Sequence, residues 1–135
     1  MGSPIVPSVV LDTNVIVSAV LRRGRNPDEI VEWAIGKKIK LYYSDAILLE
    51  YRKVLLKPKF NFDPHAVSFL LERITHVGHV INPVPSTFAL PDESDRIFYD
   101  AARASGSLLI TGNSKHYPAE PFVIAPADFV KLMME

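Results

Sequence analysis

Hydrophobic residues along the chain fall into short continuous runs that alternate with segments of helical spacing. Residues 9–11 and 107–111 are apolar at nearly every position, which is typical of strands buried on both faces of a parallel sheet. Shorter strands are predicted at 39–43, 77–81 and 122–124. Because strands alternate with helices, the pattern predicts an α/β fold: a three-layer α/β/α sandwich with a central parallel sheet of about four or five strands.

Capping residues predict where several helices begin and end. Asn26, Pro27 and Glu29 supply an N-cap, a first-turn proline and a reciprocal acid, which together predict a helix start. Gly36 is predicted to end that helix, and Gly106 to end the helix before residues 107–111. The other helices are predicted at 15–21, at 46–56, from Pro64 through Ile74 and from Pro126 onward. The apolar positions of the helix at 46–56 include Leu48, Leu49, Leu55 and Leu56. In the helix from Pro64, the residues available to face the core are Val67, Phe69, Leu70, Leu71 and Ile74.

The composition is that of an ordinary globular protein. The 135 residues show no break in composition, so a single domain spanning 1–135 is expected. The absence of cysteine excludes disulfides, thiol catalysis and thiolate metal sites, and it is consistent with a cytoplasmic protein. Every apolar run is short and the N-terminus does not resemble a signal peptide, so neither a membrane span nor secretion is expected.

The charges are unevenly distributed although the formal net charge is zero. Residues 1–60 hold 10 Lys and Arg against 6 Asp and Glu, whereas residues 61–135 hold 5 against 9. A neutral total argues against tight non-specific nucleic-acid binding, but it allows a basic face beside an acidic site. Most of these cations are expected to be solvated surface groups, and a minority to contact phosphates; the candidates are Arg22, Arg23, Arg25, Arg52, Lys53 and Lys115.

Polar residues follow both of the buried runs. Asp12 comes directly after the first run and Asn113 shortly after the second, behind Thr111 and Gly112. If the two strands are neighbours, their side chains emerge at the same sheet edge, near a switch point where ligands bind. The structural alternatives are that Asp12 caps the next helix and that residues 111–113 form only a turn.

Further carboxylates lie elsewhere in the chain. Asp92, Glu93 and Asp95 cluster before a predicted helix, where they are also expected simply to complement the helix dipole. Glu50 lies within a helix, where pairing with Lys53 is the alternative role. Several carboxylates brought together would repel one another unless a cation neutralised them. Oxygen ligands of this kind suit Mg²⁺ or Mn²⁺, which polarise phosphates and lower the pKa of an attacking water.

The ordered set of motifs resembles PIN-domain nucleases over nearly the whole chain. The resemblance rests on Asp12 in 11–15, Glu50 in its helix, Asp95 in 92–102 and Asn113 in 109–113. Within that family, the match resembles the branch of VapC-like toxins of toxin-antitoxin pairs. The resemblance implies a PIN-like fold, metal-dependent cleavage of RNA, a small antitoxin partner and a homodimer.

The resemblance also implies roles for individual residues. Asp12, Glu50 and Asp95 would be the catalytic, metal-binding carboxylates, and Asn113 would occupy the position of a fourth acid. Many family members have Asp there, and Asn offers a carbonyl oxygen but no charge. The supporting residues would be Thr13, Asn14, Asp92 and Thr111, and RNA phosphates would contact Arg22, Arg23, Arg52, Lys53 and Lys115.

Two alternative functions stay open at this point. Because Asn113 is neutral, the chain could be a catalytically degenerate PIN-like domain that serves as an RNA-binding or protein-interaction module. A phosphate-transfer domain with Asp12 as nucleophile would leave the other acids without a clear role. The histidines are too scattered to predict a zinc site; they are His65, His76, His79 and His116.

Overall fold

The computed structural model describes residues 6–135, and the centre of this region is a parallel sheet of five strands. The strand order is β3-β2-β1-β4-β5, and every neighbouring pair is parallel. This confirms the predicted sheet. The strands are β1 (Ser8–Leu11), β2 (Lys40–Tyr43), β3 (His79–Val80), β4 (Leu108–Ile110) and β5 (Val123–Ile124).

Helices cover both faces of the sheet, as the sequence predicts. They are α1 (Thr13–Leu21), α2 (Asn26–Ile35), α3 (Asp45–Leu55), α4 (Pro64–Val77), α5 (Arg96–Ser105) and α6 (Pro126–Met134). Short 3₁₀ turns lie at Pro58–Phe60, Glu93–Asp95 and Ser114–His116. Helix α5 carries the chain back from the β3 edge to β4 and packs against β1, β2 and β4. Since parallel crossovers are right-handed, α5 covers one face and the helices between β1 and β3 cover the other.

The two continuous apolar runs form the centre of the core. Val9, Val10, Leu11, Leu109 and Ile110 are all 0% exposed. Helices on both faces exclude water from these strands, which is why their sequences do not alternate. Within residues 6–135, no helix is long and apolar enough to cross a lipid bilayer.

The structure corrects the predicted start of α2 and confirms its predicted end. Asn26 is not the N-cap of α2: it is the first helical residue, Arg25 occupies the cap position, and no side chain caps the helix. Asp28 instead accepts a hydrogen bond from the Gly24 amide at 2.7 Å. Gly36 does lie at the end of α2, but with φ of −79°, and the left-handed residue is Lys37 with φ of 61°.

Strand β3 is shorter than the predicted 77–81. Val77 is still the last residue of α4, and only His79 and Val80 pair with β2. A Cβ atom on Gly78 would lie 2.7 Å from the Ile74 carbonyl oxygen, so the close passage from helix to strand requires glycine.

Some apolar residues of the predicted helices lie at the surface, including Phe69, one of the residues predicted to be available to face the core. Leu49, Leu56 and Phe69 are 67%, 44% and 65% exposed. The buried stripe of α3 is Ile47, Tyr51 and Leu55, which recur every four residues. Leu49 and Phe69 each lie two residues from a buried position, which turns a helical side chain about 200° away from it. Apolar character alone therefore does not identify the buried face.

Phe129 anchors α6 to the core, and its removal should destabilise the fold. The ring is 0% exposed and contacts the edge of Trp33, with the ring centroids 6.3 Å apart. Phe129→Ala leaves a cavity and should lower the free energy of unfolding by about 3–5 kcal/mol. Phe69→Ala is the matched control at the surface and should change it by less than about 0.5 kcal/mol. Urea unfolding of both variants checks this, and equal losses would contradict the packing described for α6.

Candidate active site

The carboxyl ends of β1 and β4 meet at the switch point of the sheet. The chain leaves β1 toward β2 on one side, whereas β4 lies on the other side, so the strand order reverses between β1 and β4. Ligands of open α/β sheets bind at such a crevice. The Asp12 amide donates to the Ile110 carbonyl at 3.0 Å, which brings residues 12–14 against residues 111–113.

The Asp12 side chain does not cap the helix that follows it. Asp12 occupies the N-cap position of α1, but it makes no side-chain cap hydrogen bond. Its Oδ2 atom instead accepts hydrogen bonds from the Thr111 hydroxyl and the Tyr117 phenol, each at 2.8 Å. Asp12 is only 6% exposed. The helix-cap alternative is therefore wrong for this side chain.

Asn14 ties the start of α1 to the turn after β4. Its Oδ1 accepts from the Gly112 amide at 2.9 Å, and its Nδ2 lies 3.4 Å from the Thr111 hydroxyl as a donor. The Asn113 amide donates to the same hydroxyl at 3.0 Å. Residues 111–113 do form a turn, and the Asn113 side chain lies exposed at its end.

Thr13 lies buried immediately after Asp12. Thr13 is only 8% exposed, and its Oγ1 atom has no hydrogen-bond partner. Most buried hydroxyls have a hydrogen-bond partner, so the Thr13 hydroxyl is an exception, and it lies next to Asp12.

Asp95 lies close to Asp12 because α5 packs against β1. It is the last residue of the 3₁₀ turn before α5, and its side chain is 14% exposed. Burial first, and then the negative charges of Asp12, Asp92 and Glu50, raise the pKa of Asp95 to about 6, although His116 acts in the opposite direction. Its Oδ2 is buried without a hydrogen-bond partner. The ionised form of this carboxylate is therefore disfavoured by burial and by the neighbouring negative charges.

Asp92 and His116 extend the acidic cluster toward solvent. Oδ1 of Asp92 accepts from the Ser94 amide at 3.0 Å and from the Ser94 hydroxyl at 2.8 Å, so Asp92 does cap its turn. His116 Nδ1 lies 3.6 Å from Asp95 Oδ2. Ligand atoms of Asp92, Asp95 and His116 all lie within 4.8 Å of one another. The folded chain thus brings one histidine to the acids, although the histidines are scattered in the sequence.

Helix α3 contributes Glu50 and Tyr51. Glu50 is half-buried, and its negative charge contributes to the raised pKa of Asp95. Within residues 6–135 it forms no salt bridge, so the alternative pairing with Lys53 is not observed. Tyr51 is fully buried and its hydroxyl donates to the Leu11 carbonyl, one residue before Asp12. This bond joins α3 to the end of β1.

Sequence reasoning missed three residues that build this site. Tyr51 and Tyr117 fix the surroundings of Asp12, and burial raises the pKa of both phenols well above the usual range, as does the Asp12 charge. Arg96 binds Glu93 at 2.7 Å and donates to the carbonyls of Ser86 and Phe88, which holds the irregular segment before α5. A tyrosine beside Glu50 and one shortly after Asn113 were the available signals.

The candidate phosphate-binding residues separate into different regions. Arg22 and Arg25 line a hollow of about 660 Å³ that also includes Gly112, at the edge of the site. Arg23 lies 3.7 Å from the Asp28 carboxylate. Arg52 lines a separate groove between α3 and α4. Lys53 and Lys115 are exposed.

Comparison with solved structures places the fold among known ones. PAE2754 from Pyrobaculum aerophilum is similar with a TM-score of 0.63 and 18% identity, covering 96% of this chain and 97% of that chain. A toxin-antitoxin complex from Klebsiella pneumoniae gives a TM-score of 0.59 and 17% identity, covering 87% and 97%. VapBC2 from Rickettsia felis, solved bound to a DNA fragment from its promoter, gives 0.57 and 16%, covering 87% and 96%. At these identities the likeness shows the fold.

Sequence comparison is more specific. The chain is 32% identical over 108 residues to MJ1680, an uncharacterized protein of Methanocaldococcus jannaschii, which covers 78% of this chain and 70% of that protein. Residues 8–115 match the PIN domain family, and this segment contains Asp12, Glu50, Asp95 and Asn113. This match, which covers most of the chain, shows that the chain belongs to the PIN domain family.

Proposed function

We propose that this protein is a metal-dependent endoribonuclease that cleaves RNA phosphodiester bonds and is the toxin of a toxin-antitoxin pair. The observation that carries the proposal is the set of three carboxylates at the switch point, from Asp12, Glu50 and Asp95. They come from three distant parts of a PIN-domain chain. The negative charges of Asp12 and Glu50 both contribute to the raised pKa of Asp95.

The donor set fits a hard divalent cation. The carboxylates of Asp12 and Asp95 lie close enough for the Asp12 charge to raise the pKa of Asp95, and the buried Oδ2 atom of Asp95 accepts no hydrogen bond. A cation between them would replace repulsion with attraction. Oxygen ligands suit Mg²⁺ or Mn²⁺, which keep part of their water shell and also bind substrate phosphates. Asp92 and His116 stand beside Asp95 as further donors.

Each residue has a defined part in this proposal. Asp12 and Asp95 would hold the cation, and Asn113 would add a neutral carbonyl oxygen. When bound, Mg²⁺ or Mn²⁺ would polarise the phosphate and lower the pKa of an attacking water. Glu50, which has no salt-bridge partner within residues 6–135, would orient that water. Arg22 and Arg25 would contact phosphates of the RNA strand and position it without selecting its sequence.

The toxin assignment draws on the relatives of the fold. The Klebsiella pneumoniae structure is a toxin-antitoxin complex and the Rickettsia felis structure is VapBC2. By analogy we propose a small antitoxin protein as partner, a homodimer as the assembly and the cytoplasm as the location. The alternative function is the catalytically degenerate module, which the neutral Asn113 favours and which need not bind a cation.

Loss of the Asp12 charge should abolish both cation binding and RNA cleavage. Asp12→Asn keeps the shape of the side chain but removes the negative charge that holds the cation. We expect Mn²⁺ binding, measured by calorimetry in chelator-stripped buffer, to disappear together with cleavage, while the circular dichroism spectrum stays that of the wild type. Asp128→Asn, at an exposed position in the first turn of α6, is the matched control and should bind Mn²⁺ normally.

Two results would overturn this proposal. Undiminished cleavage by Asp12→Asn, in a preparation shown to be free of contaminating nuclease, would remove Asp12 from the mechanism. Failure of the wild type to bind Mn²⁺ would support the degenerate module instead.

A carboxylate at position 113 should strengthen cation binding. Asn113 occupies the N-cap position of the 3₁₀ turn after β4, and its side chain is exposed at the edge of the site. Asn113→Asp adds a negative charge, which should increase Mn²⁺ affinity by about tenfold, the equivalent of about 1.4 kcal/mol. Calorimetry checks this, and an unchanged affinity would place residue 113 outside the ligand set.

Arginines at the rim of the site should contribute to RNA affinity but not to cation affinity. Arg22→Ala with Arg25→Ala removes two cations from the hollow beside Gly112. We expect weaker binding of a single-stranded RNA. The slope of log K against the logarithm of the salt concentration should become shallower by about 0.7 for each lost phosphate contact. Arg52→Ala is the control, since Arg52 lies in a different groove. Equal effects of Arg52→Ala would contradict an RNA path through the Arg22 and Arg25 hollow.

A further inference from the structure

The orientation of the Asp12 carboxylate is fixed by hydrogen bonds to one of its two oxygens. Oδ2 accepts from the hydroxyls of Thr111 and Tyr117, each at 2.8 Å. Both donors are buried, at 0% and 4% exposure. A carboxylate oxygen has two lone pairs, so these donors use the capacity of Oδ2. The other oxygen, Oδ1, is thereby left as the atom available to a ligand.

The two donors are not equivalent. The Thr111 hydroxyl belongs to the turn after β4 and also accepts hydrogen bonds from Asn14 and Asn113. Tyr117 approaches Asp12 from the segment that follows the 3₁₀ turn at Ser114–His116. The Tyr117 ring is part of the buried core. Because a tyrosine side chain has only two torsions that place its ring, packing of the ring also fixes the position of the hydroxyl oxygen. Tyr117 therefore restrains Asp12 from a direction that Thr111 does not.

Tyr117 lies outside the segment that identifies the family. The family match ends at residue 115, two positions before Tyr117. Tyr117 also directly follows His116, whose ring faces Asp95. One short stretch of chain thus contacts two of the proposed cation ligands.

We infer that Tyr117 is a positioning residue for cation binding: it acts through Asp12 by holding Oδ2, so that Oδ1 is presented in a fixed direction. This inference rests on the proposed function, because it requires a cation at Asp12. Partners that orient metal ligands typically change metal affinity by about 10–100-fold when they are removed. Tyr117 is therefore expected to set cation affinity without itself touching the reacting atoms.

The test compares two tyrosine substitutions in the full chain. Tyr117→Phe removes only the hydroxyl and should weaken Mn²⁺ binding by about 10–100-fold in calorimetry. Tyr99→Phe is the matched control, because Tyr99 is equally buried and its hydroxyl also donates to a carboxylate, that of Glu120, at 3.0 Å. Its Mn²⁺ affinity should equal that of the wild type. Melting temperatures in chelator show whether either substitution perturbs the fold.

A kinetic readout separates positioning from general damage. In Tyr117→Phe, the Mn²⁺ concentration for half-maximal RNA cleavage should rise by the same factor as the dissociation constant, while kcat at saturating Mn²⁺ stays near the wild-type value. A fall in kcat with unchanged Mn²⁺ dependence would overturn the inference. So would unaltered Mn²⁺ affinity in a folded Tyr117→Phe protein.

A measurement on the wild type keeps the inference testable even if Tyr117→Phe folds poorly. The ¹³Cζ resonance of Tyr117 reports on its hydroxyl, and it should shift when diamagnetic Mg²⁺ is titrated into the wild type but not into Asp12→Asn. A resonance that ignores Mg²⁺ in a protein that binds it would overturn the role of Tyr117 alone. Absence of Mg²⁺ and Mn²⁺ binding by the wild type would overturn the proposed function and this inference together.

Discussion

The burial of one carboxylate constrains the rest of this structure. Asp12 is 6% exposed at the carboxyl end of the central strand, where a charge is costly unless hydrogen bonds replace its water. The hydroxyls of Thr111 and Tyr117 meet that requirement. For Thr111 to reach Asp12, β4 must lie beside β1, and for Tyr117 to do so, the chain after β4 must fold back over the strand end. The topology of the sheet and the conformation of this segment thus both serve one side chain.

Acidic and basic side chains lie next to each other at the same edge of the sheet. The acidic side is formed by Asp12, Glu50 and the turn before α5, where Arg96 neutralises Glu93 but not Asp92 or Asp95. The basic side is the exposed α1–α2 connection with Arg22 and Arg25. A zero net charge therefore conceals a local separation of charge. An anionic polymer would be attracted by the basic side and repelled by the acids until a cation covered them.

Much of the fold could be predicted from the sequence, because its strongest signals are local. The continuous runs of β1 and β4, and Gly106 at the end of α5, are encoded by neighbouring residues, and the structure contains them. The exposure of Phe69 depends on how helices pack, which the local pattern does not specify. For the site, the acids could be proposed from their order along the chain. Tyr117 could not, because its role depends on a hydrogen bond to a residue 105 positions earlier.

The long separation between Asp12 and its donors also determines when the site can form. Asp12 is synthesised early, whereas Thr111 and Tyr117 follow it by 99 and 105 residues. Contacts of such high sequence separation form late, since loop closure must precede them. A chain translated beyond residue 12 but not yet to residue 111 holds Asp12 without the hydroxyls that orient it. The order of synthesis itself therefore delays assembly of this site until residue 117 has joined the fold.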